Sequence, residues 1–519
     1  MATTLIKVGS VWPPPDSLDR LMAYQQNRLL WEGNHHLLDV AQRFREKNAE
    51  LGKVTREESD SIADALYIAV NLPELVAKKY ADLALLQRPL TKLVDGTPAQ
   101  QDEWTDTIRN DLPQLWADAH YGLEMKRALG DVIFSVQRDT VEQSGKGENA
   151  PSGVGVNVVD PATWFPVCSP SNPRTITAHQ IAWLEMRQVE DEEKRIPILR
   201  VQVSELGRWR ERAFMLEEKS GEAEAISRKT GERLAKKPKL YDVKSEISEA
   251  AFKALYPDIE EMTDAPEDDF LIIHIPNGRH SARDVWGRSD FHDSHALYDE
   301  IDWRISGWAD ANDLVCHPAR KVPKRYAQVS TDPDGTGALD VPGRYRQTYI
   351  GEGRDEAATE APANIGFDLS ADTLMSQVEV TIRLALMRAE MPPALVGWDL
   401  GKQKESGEAK SLGMSTAEAA TRRDLLSTKP AFDRILSVAA ELAGFDSRVT
   451  TAWRPGIPKT QDENDAAIML KHKGGYLTLE EAIAAMNPGM SKEEVDTRVA
   501  ALKKERDETI DSFTPPPGS

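Results

Sequence analysis

Four of the ten histidines, His274, His280, His292 and His295, fall within one short stretch and are interleaved with Asp290, Asp293 and Asp299. Imidazole nitrogens and carboxylates are the ligands of hydrolytic metals, and His292 and His295, three apart, can share one helical face. One reading is therefore an intracellular metal-dependent hydrolase working through the His274–His295 region. The chain lacks the companions such an enzyme needs. There is no His-Glu-x-x-His pair, and no second carboxylate cluster converges on the histidines. Residues 145–153, GKGENAPSG, lack the Gly-Lys-Ser/Thr ending of a phosphate cradle, and no Gly-x-Ser-x-Gly occurs. Histidines on the surface of an acidic helix are the plainer reading.

The element that must carry these residues is a long helix expected after Gly287. With about 100° of turn per residue and Asp299 at zero, Arg288, His292, His295, Asp302, Ser306, Asp310 and Asp313 lie within roughly 60° of it. Leu297, Ile301, Trp308 and Val315 fall on the opposite side. From Arg288 to Asp313 there are seven acids against two arginines. Such a helix is expected to pack on its apolar side and to turn its polar stripe to water or to something dissolved in it.

Around that helix the chain alternates between helical and extended character. Residues 16–30, 57–70, 72–86 and 113–129 carry apolar positions three and four apart. Asn71 is a candidate N-cap, with Pro73 in the first turn. Gly130 is placed to end the fourth helix, and residues 131–139 switch at once to strand period. Strands are expected at 154–160, 181–189, 198–203 and 209–216, with a charged insert at 217–239. Residues 316–368 are rich in proline and glycine, with short strands at 321–328 and 343–350. Helices return at 370–390, stopped by Pro392 and Pro393, and at 409–443, interrupted at Pro430. Further helices are expected at 462–473, 479–485 and 492–507. The fold class is α+β.

Bulk properties narrow the function classes. A formal charge of −21 over 519 residues argues against a protein that coats nucleic acid through Lys and Arg, though not against one that encloses DNA without gripping it. Cys168 and Cys316 are the only cysteines and lack C-x-x-C spacing, so two buried thiols in a reducing compartment are expected. Neither a basic-then-apolar leader nor an apolar run of about 20 residues is present.

The order of these parts resembles the portal protein of tailed double-stranded DNA phages. NLPELVAKKYADLALLQRP is similar to the wing helix of that family, and ALGDVIFSVQRD with VVDPATWFPV to its wing β-region. IPNGRH and DVWGRSDFHDSHALYDEIDWRISG resemble its turn and first stem helix, where Gly287, Ser289 and Asp290 match a Gly-x-Ser-Asp opening. EMPPALVG and KQKESGEAKSLG resemble the exit of the second stem helix and the start of the tunnel helix.

The resemblance implies a ring of usually twelve subunits at one capsid vertex, with no catalytic residues, no metal and no cofactor. Double-stranded DNA passes through it during packaging and ejection. The implied partners are the terminase large subunit, major capsid and scaffolding proteins and a head–tail adaptor, with no membrane; the implied location is the virion, after synthesis in the host cytoplasm. The implied division is wing 1–285, stem helix 286–314, clip 315–369, second stem helix 370–395, tunnel loop 396–408, tunnel helix 409–443, wing return 444–458, crown 459–508 and a disordered tail 509–519. In that frame Asp299, Asp302, Asp310 and Asp313 form a stripe facing the channel or the capsid, while Leu297, Ile301 and Trp308 pack on neighbouring stem helices. Lys402, Lys404 and Glu405 occupy the tunnel loop, where the lysines would meet DNA weakly. Arg320, Lys321, Lys324 and Arg325, beside His317, would dock terminase or adaptor. For the acidic stripe, the tunnel loop and the basic cluster an ordinary solvated surface is the competing reading.

Overall fold

Apolar residues three and four apart build the first helices. The computed structural model describes residues 5–44, 67–139, 153–188, 195–219, 238–256, 266, 268–278, 284–316, 319–323, 328–330, 338–340, 348–351, 363–365, 371–397, 407–453, 461–487 and 494–503. Strand β1 (Val11–Trp12) precedes helix α1 (Leu18–Trp31), which buries Tyr24, Leu30 and Trp31. Helix α2 (Leu72–Ala84) follows, with Pro73 in its first turn, and then strand β2 (Leu90–Leu93). The Asn71 side chain does not cap the α2 backbone; it donates to Glu74 and to the Trp31 carbonyl.

Helix α3 (Pro98–Asn110) was not among the expected elements. Thr97 and Gln100 close a full capping box around Pro98, and Trp104 is buried beneath the helix. Helix α4 (Leu115–Leu129) ends at Gly130, whose φ of 100° is the left-handed value that favours glycine. Strand β3 (Asp131–Asp139) starts at once and lies between β4 (Gly153–Val159) and a later strand, β10 (Ile272–Pro276), in an antiparallel three-stranded sheet. Strands β5 (Val167–Cys168), β6 (Ile176–Gln188), β7 (Arg195–Glu205), β8 (Arg208–Glu218) and β9 (Tyr241–Glu246) join β1 in a six-stranded sheet ordered β1-β9-β8-β7-β6-β5. Leu199, Val201 and Val203 alternate into its core, and α5 (Glu249–Leu255) covers Ile198 and Ala213 on the other face.

Helix α6 (His295–Cys316) begins eight residues later than expected, because the Gly287, Arg288 and Asp290 amides are taken by Asp131, Asn277 and Arg127, and residues 291–294 turn back on Ser289 and Phe291. In the following region the single strand expected at 321–328 is two: β11 (Ala319–Pro323) and β12 (Gln328–Ser330). β12 pairs with β13 (Ala338–Asp340), and β11 lies between β14 (Thr348–Gly351) and β15 (Ala363–Ile365). Helix α7 (Ala371–Arg388) packs on α6, with Val378, Ile382, Ala385 and Leu386 meeting Tyr298 and Ile301.

Helix α8 (Gly407–Leu442) runs unbroken through Pro430, contrary to the interruption expected there. Proline removes the bond to the Leu426 carbonyl, but Leu426 is 78% exposed, so water can serve that oxygen. Beyond it Phe432, Ile435, Leu436 and Ala439 are buried against β3, β4 and β10, which holds the helix in register. Strand β16 (Val449–Ala452) then pairs with β2. The chain divides into two compact units, Met1–Pro455 and Gly456–Ser519. Within the second, α9 (Gln461–Lys473), α10 (Leu479–Met486) and a helix over 494–503 are described, with Ile483, Val495 and Val499 forming a small core.

The helix expected over 57–70 is corrected at its end. Residues 67–70 are not helical; the Ile68 and Val70 amides donate instead to Ser306 Oγ and Asp302 Oδ1 on α6, each at 2.8 Å. Residues 57–66 lie outside the described residues. Cys168 is buried, as expected; the Cys316 side chain is outside the described set.

Candidate functional site at the base of helix α6

Where β10 ends, residues Asn277 and Gly278 turn, and residues 287–290 return across the α4–β3 corner. The crossing is made backbone to backbone. The Asn277 amide donates to the Gly130 carbonyl at 2.8 Å, Arg288 to Asn277 at 2.8 Å and Asp290 to Arg127 at 3.0 Å. Ser289 Oγ donates to the Ala128 carbonyl at 2.6 Å, and Asn277 Nδ2 reaches both the Arg288 carbonyl and Asp290 at 2.8 Å. A Cβ at Gly287 would stand 1.9 Å from the Gly130 carbonyl oxygen, so no side chain fits without moving backbone. This crossing is why the Gly-x-Ser-Asp segment takes these residues.

Two buried charge clusters brace it. Asp131, at the start of β3, accepts from His274 Nε2 at 2.6 Å, from the Gly287 amide at 2.8 Å and from the Tyr24 hydroxyl at 2.6 Å, with Arg20 at 3.6 Å. Burial would raise its pKa, but Arg20, His274 and the Gly287 amide outweigh that and hold it below the usual carboxylate range. Behind it, His179 is pushed down to about 3 by burial and by the nearby charges of His274 and Arg434; neutral, it accepts the Trp164 indole N–H at 3.1 Å. On the other flank the buried Lys126 ammonium donates to Asp424 at 2.6 Å and Thr428 at 2.7 Å, tying α4 to α8. Burial works to raise Asp424's pKa; Lys126 and Arg127 overcome it and keep the carboxyl ionised.

Between this joint, α7 and α8 opens a cleft of about 700 Å³. Arg127, Arg288, Arg388 and Arg423 line it with Asp290, Asp293 and Asp424. Arg127 is spent on Asp290 (3.2 Å) and Asp424 (3.9 Å) and lies over the Tyr80 ring.

The stripe expected to face water does so only in part: Arg288 and His292 are exposed, but its middle is not. Asp302 and Ser306 are buried, and the surface that covers them is the chain's own N-terminal segment. Asp302 meets His35 Nδ1 at 2.5 Å as well as the Val70 amide, and His295 Nε2 bonds Asn27 at 2.7 Å. Asp299 is half-buried and contributes its charge to His35. The side chains of Asp310 and Asp313 lie outside the described residues. On the opposite side Ile301 is buried and Leu297 partly buried in the chain's own core, while Trp308 is half-buried. Ile301 and Leu297 are thus occupied within the chain itself.

The histidines do not converge. His274 binds Asp131, His295 binds Asn27, and the exposed His292 lies 3.8 Å from Asp293; His280 is outside the described residues. Among the described residues no group of three or more His, Cys, Asp or Glu is placed to hold a metal ion. Among them, too, no helix is long and apolar enough to cross a membrane. Arg320 and Lys321 sit on β11, paired in register with Thr348 and Tyr349 of β14, and their side chains are not described. Lys324, Arg325, Lys402, Lys404 and Glu405 lie outside the described residues, as do His317 and most of the insert at 217–239.

Sequence reading missed His35, Asp131, Lys126, Arg127 and Asp424. Lys126 and Arg127 carried a signal, two cations near the C-terminal end of a helix otherwise rich in buried positions. His35 carried none, because its partners lie 267 residues away at Asp302 and locally at the Leu30 carbonyl. Compared with models of known protein families the chain matches none, and no curated protein matches it.

Proposed function

We propose that the chain is a ring-forming portal subunit that gives double-stranded DNA passage through a capsid vertex. The observation that carries this reading is that α7 is apolar on two faces. One face is buried against α6. The other exposes Val380 (55%), Leu384 (42%) and Met387 (67%), which stand four and then three residues apart and so form one stripe. A helix apolar on both sides has a second neighbour to cover it. A second copy of the chain is that neighbour, because in a closed ring every subunit's α7 is covered by the same surface of the next.

The strongly acidic character of the chain supports a conduit that DNA slides through. Asp302, being buried, does not contribute to that acidic wall. In this reading the chain is not an enzyme, Lys402, Lys404 and Glu405 meet DNA in the tunnel loop, and Arg320, Lys321, Lys324 and Arg325 face terminase and then the adaptor. Capsid and scaffolding proteins surround the ring.

The test is mass. Twelve copies of a 57.7 kDa chain should sediment near 690 kDa and show a central hole in negative-stain images. Leu384→Glu with Met387→Glu should return the protein to 57.7 kDa. A wild-type protein that is monomeric at micromolar concentration would sink the proposal. A ring count other than twelve would not, because heterologous interfaces close wherever the rotation permits.

A further inference from the structure

The cleft at the base of α6 is asymmetric in its ion pairing. Arg423 pairs with Glu390, and Arg127 with Asp290 and Asp424. Arg288 and Arg388 share one carboxylate: Arg288 hydrogen-bonds Asp293, while Arg388 Nη2 stands 3.7 Å from it. Each guanidinium offers five N–H donors in a planar fork, and a single carboxylate cannot fill two such forks. Both arginine side chains are close to half exposed, so they can turn toward a guest without breaking the buried joint. A volume of about 700 Å³ is ample for a tetrahedral oxyanion and for the group that bears it.

We infer that this cleft is an oxyanion site that takes a phosphate group between Arg288 and Arg388, with Arg423 at its rim and Asp293 as the side chain the ligand displaces. Arginine suits a tetrahedral oxyanion because two parallel N–H bonds match two of its oxygens. Asp293 acts as an internal competitor that occupies the arginines while the cleft is empty. The site stands independently of the ring proposal, since every residue in it belongs to one chain. Phosphate could arrive free in solution or as part of a nucleic-acid backbone, and the chemistry of recognition is the same.

Titration of the full-length protein with inorganic phosphate, followed by calorimetry, tests the inference. Saturable binding is expected, weakened at least tenfold in R288Q/R388Q. Asp293→Asn should tighten it severalfold, an outcome that a purely structural ion pair would not produce. A 20-base-pair DNA duplex then separates the sources. Displacement of phosphate by the duplex assigns the site to a backbone phosphodiester; saturable phosphate binding without displacement assigns it to a free oxyanion. No saturable binding to the wild type, or binding unchanged in the double variant while its unfolding curve matches wild type, overturns the inference.

Discussion

Replacing Asp302 by Asn should speed hydrogen exchange at the Val70 amide by roughly 150-fold. His35 is fully buried, and both its ring nitrogens face acceptors: Nδ1 the Asp302 carboxylate at 2.5 Å, Nε2 the Leu30 carbonyl at 2.9 Å. Two obligate acceptors require two N–H donors, so the imidazole is held as its cation. Burial alone would lower its pKa. The hydrogen bond and charge of Asp302, the Leu30 carbonyl and the charge of Asp299 outweigh burial and raise it. Removing one member of a buried pair costs about 3–5 kcal/mol, and Asn keeps one acceptor, so the lower end, about 3 kcal/mol, applies. At about 1.4 kcal/mol per factor of ten, that gives the 150-fold.

Mass-resolved exchange on a peptide covering residues 67–72 reads the effect, with the β3 amides, which should not change, as the control. The sign with pH follows from the raised pKa. The stabilisation is fully present below His35's unfolded value near 6.5 and is lost as pH rises through the higher folded value. Protection of residues 67–72 should therefore fall on the alkaline side after correction for intrinsic exchange. Protection within threefold of wild type in Asp302→Asn would refute the reasoning, as would protection that rises with pH.

Gly287→Ala should destabilise the first unit by about 3–5 kcal/mol, from overpacking and the loss of crossing hydrogen bonds of about 1 kcal/mol each; a urea midpoint near wild type would show that the corner can yield. Lys126→Met leaves the buried Asp424 carboxylate only Thr428 and the more distant Arg127 and should cost about 3 kcal/mol, most of it regained in the double variant with Asp424→Leu, as thermal unfolding can measure. Asp131 and Asp424, both held below the usual carboxylate range, contribute stability that is present above an unfolded value of about 3.9 and lost as pH falls through their lower folded values. Urea midpoints should therefore drop below about pH 4, and Asp131→Asn should flatten that drop. Charge reversal at Lys402 and Lys404 should impair DNA packaging while leaving ring mass unchanged; unaffected packaging would remove those lysines from the DNA path.

Local signals were readable wherever neighbours in sequence supply the partners. The end of α4 at Gly130 and the switch to strand at Asp131 follow from one glycine and a change of period. The Thr97–Gln100 box announces α3 just as locally and was legible without being read. Pro430 misled, because the cost of a missing backbone bond is local while the burial of Phe432, Ile435 and Leu436 that outweighs it is not. Residues 67–70 misled for the same reason, since their amides find acceptors more than 230 residues away.

Residue order alone gives α6 an acidic, polar face and an apolar one, because an α-helix sorts its residues by a fixed turn. It also determined that the chain mixes helix with sheet, and that glycines stand at the corners. Whether Asp302 and Ser306 meet water was settled by long-range packing. His35, Ile68 and Val70 fold onto Asp302 and Ser306 and bury that part of the polar side, while α7 exposes Val380, Leu384 and Met387. Periodicity fixes which residues share a face; what covers that face depends on chain segments hundreds of residues away, and no local pattern records them.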